Sequence, residues 1–415
     1  MITDPAKKKR AMRFVLMTVF IYSAGFGIIM PALPDLIREL EGVSLSEATR
    51  IGAWIGASYA IFQFVLGPLV GNLGDRFGRR PVFLISLFGF GVDFLLMGMA
   101  PSIIWLFIGR SIAGGLGAIF GPANAAMADL SNAEDRAASF GKVGAAFGIG
   151  FIAGPALGGF LGEISTRLPF FVAAGLAFSN FAYGWFAFPE TMPKEKRRAF
   201  ELRRANPLGA LVSLSKVASV LPIALVYFLW SFSGQIYPSS WSFYAQAQFG
   251  WDIKMVGISL TFVGLSMAFF QAFVIGRAVK RFGERLTAQI GMLFGLAGFL
   301  TLSFLTNGAV AMLLCLGMGA QGIAMPALNA MMSRRIPPEQ QGELQGFNGS
   351  MAALAFLIAQ LVFNFALAYF TSPEAPRYFA GAPFVISSVF AAMALIILTL
   401  LPRSRPAQTA SQADI

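Results

Sequence analysis

The sequence predicts an all-α membrane protein with twelve transmembrane helices, arranged as two pseudo-symmetric six-helix bundles. Three observations predict it. The 415-residue chain is 56% hydrophobic and only 12% charged, with a mean hydropathy of +0.69, whereas soluble domains carry about 25% charged residues. The apolar residues form twelve long runs, and a helix needs about 20 residues to cross a bilayer. Motifs in the first half of the chain recur in the second at one fixed offset.

The runs are 14–36, 50–72, 81–100, 103–129, 139–162, 168–188, 219–246, 253–279, 286–306, 309–333, 343–371 and 378–402. Forty-three Phe and 45 Gly suit them, because small residues let membrane helices approach closely. Twelve spans put both termini on one side. Of the 31 Lys and Arg, 25 fall on the side of the termini and five on the other (Arg38, Arg50, Arg167, Lys254, Arg377); Arg110 lies within a span. That bias places both termini in the cytoplasm. The first run follows a basic segment and is too long for a cleaved signal peptide, so it is expected to stay. The expected location is a bacterial inner membrane, crossed many times.

Composition also excludes function classes. The net charge of +11 reports topology, and no nucleic-acid partner is expected. The absence of His removes the commonest metal ligand and general base. The single Cys315, in an apolar run, cannot support a disulfide framework and argues against a thiol–metal site. Residues 317–322 fit the spacing G-x-G-x-x-G but sit inside a span with no preceding strand, so they are read as packing. No P-loop lysine motif points to an ATP-driven pump. No catalytic constellation, metal site or cofactor is expected.

The longest polar gap, "PETMPKEKRRAFELRRANP" from Pro189, separates six spans from six. The expected domains are a bundle over 1–188, a cytoplasmic linker over 189–218, a second bundle over 219–402 and a tail over 403–415. "GNLGDRFGRR" at Gly71 is matched by "GRAVKRFGER" at Gly276, 205 residues on. Near the same offset, "GPANAAMADL" resembles "MPALNAMMSR" at the end of each half's fourth span. Repeated halves around a central path are a common plan of secondary transporters.

On these residues the chain resembles a known family. "GNLGDRFGRRP" matches the loop signature of the major facilitator superfamily. "GIGFIAGPALGG", Gly148 to Gly159, matches the fifth-helix signature of its drug/proton antiporters. "GFGIIMPALP", "FGIGFIAGPALGGFLGEIS" and "QAFVIGRAVKRFGE" resemble its tetracycline-efflux branch over nearly the whole chain. The resemblance implies a proton-coupled exporter of amphiphilic, drug-like small molecules working by alternating access. Its partners would be that cargo, protons and the lipid bilayer, with the chain acting as a monomer. A transporter or flippase of an amphiphilic lipid or metabolite, and a membrane receptor that moves nothing, are the alternatives.

The candidate residues follow. Gly71 and Gly74 would let the second helix approach a neighbour, and Gly78 would permit the tight turn. The resemblance implies that Asp75 faces the start of the eleventh helix, near Gly342–Gly346, whose N-terminal partial positive charge attracts an anion. With Arg76 and Arg79 or Arg80, one of them paired to Asp129, this would form a cytoplasmic gate latched only when that side is shut. On the fifth span, Ala146, Gly150, Gly154, Gly158 and Gly162 recur every four residues and make one small-residue face. Pro155 removes a backbone donor, and Gly159 completes the antiporter motif. The small face is expected to press on the eighth helix across the boundary between the halves.

Asp93 and Arg110 are charged residues at a similar depth, and charges there are normally paired or functional. They are expected to meet, either as a proton- or substrate-linked carboxylate with its partner or as a fixed ion pair. Amides on the spans offer walls for a cavity: Gln63, Asn124, Asn180, Gln235, Gln246, Gln271, Gln321, Asn329 and Asn364. Tyr22, Tyr59, Trp230, Phe232, Tyr237 and Trp241 would add aromatic walls. Tyr22, Gln63, Asn124, Gln235, Tyr237, Gln271 and Gln321 are the chosen cavity set. "YPSSW", Tyr237 to Trp241, is expected to bend the seventh helix.

The chain also departs from the branch it resembles. Where the branch carries an aspartate on the first helix, Tyr22 and Ser23 stand; where it has an acid on the ninth, Gly295 stands; its eighth-helix histidine has no counterpart. This argues against metal-chelated tetracycline as cargo and toward a neutral, anionic or amphiphilic molecule.

Overall fold

The structure is a computed structural model that describes residues 4–402, apart from 118, 133–134, 194, 196, 198–219 and 338–340. The expected linker beyond 197 and the tail from 403 lie outside the described residues.

The first half contains α1 (Pro5–Glu41), α2 (Leu45–Phe77), α3 (Arg79–Met99), α4 (Ile103–Leu116), α5 (Phe120–Asp129), α6 (Arg136–Ile164) and α7 (Leu168–Ala187). The second contains α8 (Leu221–Gly234), α9 (Ile236–Phe249), α10 (Ile253–Phe269), α11 (Ile275–Phe304), α12 (Gly308–Gly317), α13 (Ala324–Ser333), α14 (Gln341–Phe370) and α15 (Ala382–Leu400). Among the described residues, ten helices meet the length and hydropathy needed to cross a membrane. Ile253–Phe304 counts once among them, but its 52 residues turn at Gly283 (φ 76°) and supply the eighth and ninth spans. The seventh span is missed by length alone because it breaks at Gln235 into two 14-residue helices, α8 and α9. Twelve crossings result, at the positions the hydropathy runs mark.

Helix ends follow local chemistry. Asp4, Asp252 and Asn307 accept hydrogen bonds from the first turns of α1, α10 and α12, satisfying orphan amides. Ser44 and Glu47 form a reciprocal capping box at α2. The interruptions inside spans were not expected. The fourth span breaks between α4 and α5 at Gly117, a π turn (Phe270–Val274) follows α10, and a 3-10 turn (Met318–Ile323) separates α12 from α13. The seventh span breaks at Gln235, slightly before the expected "YPSSW" bend.

The internal repeat is visible atom by atom. Gly78 and Gly283, 205 apart, share one left-handed turn (φ 106°, ψ 167° and φ 76°, ψ 168°). Just after each turn an arginine caps the last helix of its own half. Arg80 donates to Trp185 O (2.6 Å), and Arg285 donates to the carbonyls of Leu398 (2.7 Å), Thr399 (2.9 Å) and Leu401 (2.5 Å). Arg79 lies beside Asp129 (3.8 Å), and the residues at the same offset, Glu284 and Arg334, form an ion pair at 2.9 Å with the charges exchanged. These turns and caps share the face that carries the start of α1 and the end of α15, called here the basic face; the opposite one is the far face.

Within the first half α1 packs on α6, α2 on α4 and α3 on α7; within the second α11 packs on α15, and α8 on α14 and α15. Across the halves α6 meets α10 and α2 meets α14. Phe14, Phe83 and Phe188 interlock on the basic side of the first half. Trp241, Tyr244, Phe299 and Phe384 form an aromatic core in the second.

Candidate functional site

The boundary between the halves encloses a cavity near the middle of the molecule. Phe26, Ile29, Met30, Leu33, Gly52, Ile55, Gly56, Tyr59 and Arg110 line it from the first half. Tyr237, Pro238, Ser239, Trp241, Ser242, Phe243, Phe356 and Gln360 line it from the second. Its wall is mostly apolar, six of these residues being aromatic, with a few polar groups, as small-molecule sites usually are.

The far face closes over it through contacts between the halves. Ser46 Oγ donates to Ala368 O (2.9 Å), Gln246 Nε2 donates to Asp35 Oδ2 (3.3 Å), and Lys254 pairs with Glu163 (2.9 Å). Toward the basic face the same helix faces separate. On α6 the positions 148, 152, 155, 159 and 162 follow one stripe. Gly162 meets Ile253, Gly159 touches Gly257 Cα and Ile152 meets Gly264, whereas a side chain at Gly148 or Gly144 would find nothing within 4 Å. On α14, Gln360 contacts Gly56, whereas Gly349 faces open space, as does Gly71 on α2. The halves are thus closed on the far side and splayed on the basic side.

Asp93 and Arg110 are paired. Arg110 Nε donates to Asp93 Oδ1 (3.2 Å) and Nη2 bridges to Oδ2; the Asp93 side chain is 0% exposed and that of Arg110 5%. Gly109 makes room, since a Cβ there would stand 2.7 Å from Asp93 Oδ1. The guanidinium lies over the rings of Tyr59 (5.5 Å) and Phe94 (5.9 Å), a favourable cation–π arrangement. Only Arg110 of the pair reaches the cavity; Asp93 sits behind it.

Of the expected cavity set, Tyr237 lines this cavity and the other six do not. Tyr22 and Gln63 instead join Tyr59 in one cluster. The two hydroxyls are 2.6 Å apart, and Gln63 Nε2 donates to Tyr59 (3.1 Å) and Tyr22 (3.4 Å). Tyr22 is drawn inward by stacking on Phe90 (4.8 Å). Asn124 is half-buried on α5. Gln235 occupies the break between α8 and α9, where its backbone N–H bonds Phe232 O (3.1 Å). Gln271 is exposed on the π turn beside Gly322, and Gln321 is buried against Gly295 within the second half. Trp230 and Phe232 belong to the second-half core, while Tyr59 and Trp241 do wall the cavity. Asn180 bonds Thr18 (2.8 Å) and Asn329 bonds Asn348 (2.9 Å), both as packing.

Sequence reasoning missed Phe26, Phe243, Phe356 and Gln360. Gln360 had a signal: it sits one turn before Asn364 on the same face. Asn364 Nδ2 donates to Gln360 Oε1 (3.3 Å) and to Ser239 O (3.2 Å), and its Oδ1 accepts from Ser240 Oγ (2.7 Å). This ties α14 to the start of α9.

The fifth-span expectation is corrected. Gly150, Gly154 and Gly158 do not press on the eighth span; they face α1, beneath the carbonyls of Phe20, Ala24 and Ile28. Ser23 Oγ donates to Phe147 O (2.7 Å) along the same seam. The face that meets α10 is the next one round, carrying Gly159, Gly162 and the carbonyl of Pro155. Four-residue spacing identifies a small face but not which neighbour it serves, and α6 has a close neighbour on each side.

At the basic-face loop, Gly78 takes the positive φ that favours glycine (106°). Gly74 leaves space that the Arg79 side chain fills (Nη1 3.1 Å from a Cβ there), but Gly71 has no neighbour within 4 Å, contrary to its expected close approach. Asp75 pairs with Arg79 of its own half (2.8 Å), and it is Arg79, not Arg80, that lies beside Asp129. Arg76 lies over the ring of Phe77 (5.1 Å). Glu190 Oε1 and Oε2 accept from the backbone N–H groups of Arg79 (2.8 Å) and Arg80 (3.2 Å), an anion at the start of α3 that the sequence reading did not foresee.

Three comparisons bear on this arrangement. The family model described as Major Facilitator Superfamily matches residues 15–360 and 223–413. The chain is 38% identical to the class C tetracycline resistance protein of Escherichia coli, over 86% of this chain and 89% of that one. It is 35% identical to the class E tetracycline resistance protein of Escherichia coli, over 98% of each. Among solved structures it resembles the human organic anion transporter MFSD10, with TM-score 0.70, 24% identity, and coverage of 95% of this chain and 100% of that one; a likeness at this identity speaks to the fold.

Proposed function

Because the chain belongs to the Major Facilitator Superfamily, we propose that it is a proton-coupled secondary transporter that exports amphiphilic, drug-like molecules by alternating access. The observation that carries the reading is the aromatic cavity shared by both halves, closed on one face while the same helices part on the other. The excess of Lys and Arg on the basic face makes that face cytoplasmic in a bacterial inner membrane. Cargo then enters from the cytoplasm in the state described. The bundles 1–188 and 219–402, joined by the linker 189–218 and followed by the tail 403–415, rock about the cavity, and one chain suffices to build it.

Export requires the cytoplasmic side to shut, with Gly148, Gly71 and Gly349 gaining neighbours. Asp75, Arg79 and Asp129 form the gate cluster that bears on that closure. Asp93 and Arg110 are the candidate coupling pair. Since Arg110 stands between Asp93 and the cavity, proton exchange at Asp93 needs Arg110 to swing aside. The tetracycline resistance relatives support outward drug transport; Tyr22 and Gly295, neutral where that branch has acids, favour a cargo other than metal-chelated tetracycline.

The test is transport in inside-out vesicles under an imposed pH gradient, with tetracycline and a panel of amphiphilic compounds, scored by proton release on cargo addition. Release with at least one compound, absent from vesicles lacking the protein, is expected. Its absence across the panel, with the protein folded, would favour a receptor that moves nothing.

A further inference from the structure

Resting on the transporter reading of the same cavity, we propose that its cargo site selects aromatic molecules bearing a carboxylate or similar anionic group and rejects organic cations. Among the described residues the cavity wall holds no Asp, Glu or Lys, and Arg110 is its one permanently charged side chain. The matching carboxylate, Asp93, is wholly buried behind Arg110. Nε and Nη2 are spent on Asp93, and the rings of Tyr59 and Phe94 hold the guanidinium plane.

In the conformation described the pair is therefore a dipole, neutral in sum, with its positive end in the cavity wall. Opposite charges attract by several kcal/mol at contact distance away from water, and an unpaired buried charge is costly. An entering cation meets like charge first and finds no carboxylate within reach. An entering anion meets Arg110, whose guanidinium carries five N–H donors in all. Gln360 adds to the bias. Its Oε1 already accepts from Asn364, so its amide N–H2 is the end left for cargo. Phe26, Tyr59, Tyr237, Trp241, Phe243 and Phe356 supply flat apolar walls from both halves, which suit an aromatic frame.

The experiment uses three probes built on one naphthyl frame: naphthoate, naphthamide and naphthylmethyl-trimethylammonium. Binding is read as thermal stabilisation of the purified full chain, which needs no flux. Naphthoate should bind about tenfold tighter than the ammonium probe, with naphthamide between them. In the neutral double variant Asp93→Asn/Arg110→Gln, that ranking should shrink to about twofold. Equal or tighter binding of the ammonium probe, an unchanged ranking in a folded double variant, or no binding of any probe would overturn the proposal. The wild-type ranking stands as a test even if the double variant does not fold. Flux of naphthoate into proteoliposomes is measured separately: naphthoate that binds but does not move would contradict the transporter reading and leave the site standing.

Discussion

Asp93 holds the least exposed carboxylate of the cavity region, and Arg110 meets both of its oxygens. Removing Arg110 alone leaves that charge without its partner, so Arg110→Ala should lower stability by about 3–5 kcal/mol. The paired neutral change Asp93→Asn/Arg110→Gln should cost much less. Thermal unfolding in detergent checks the order, and a reversed order would mean that the pair is not the buried unit described. Gly109→Ala should also destabilise, by about 1–3 kcal/mol, because its Cβ would strike Asp93 Oδ1. The pair itself was legible in the sequence, since ionisable residues deep in spans are rare and must find partners. Tyr22 illustrates what was not legible. Whether a half-polar ring faces a cavity or turns inward depends on its neighbours, here Tyr59 and Phe90, and those neighbours come from other helices.

Two faces of α6 make different demands, and substitutions should separate them. Gly154 lies against α1, where even a methyl group would stand 2.9 Å from Gly27 Cα and closer still to Ala24 O. Gly154→Ala should therefore lower the unfolding temperature. Gly148 has open space in this state, so Gly148→Leu should fold normally and block turnover by preventing closure of the basic face. A folded Gly148→Leu protein with wild-type flux would mean that the stripe does not close. The gate clusters offer a second contrast. Arg79 is 9% exposed and faces both Asp75 and Asp129, whereas Arg334 is 76% exposed and meets Glu284. Exposed pairs are worth about 0–1 kcal/mol, so Arg334→Ala should change thermal stability little and Arg79→Ala distinctly more. The repeat at offset 205 exposed the two loops in the sequence. The exchange of charge between Arg79–Asp129 and Glu284–Arg334 was equally present there, but pairing required the fold.

At the scale of the whole molecule, hydropathy placed every crossing, because the bilayer imposes length and polarity on each helix separately. The breaks at Gly117 and Gln235, the π turn and the 3-10 turn escaped notice. A freed backbone group in a span is satisfied by neighbouring helices, which no local pattern records. The conformation was illegible for a related reason: alternating access uses one sequence for two packings, and only contacts distinguish them. The far-face contacts Ser46–Ala368, Asp35–Gln246 and Glu163–Lys254 should break when the basic face shuts. The most direct test is a pair of distance measurements between spin labels, on a Cys315→Ser background in proteoliposomes. One pair, at Arg76 and Gln345, reports the basic-face ends of α2 and α14; the other, at Glu47 and Tyr369, reports their far ends. Changing pH or adding a transported compound should shift the two distributions in opposite directions, one shortening as the other lengthens. Two distributions that stay fixed, or that lengthen together, would contradict alternating access in this protein.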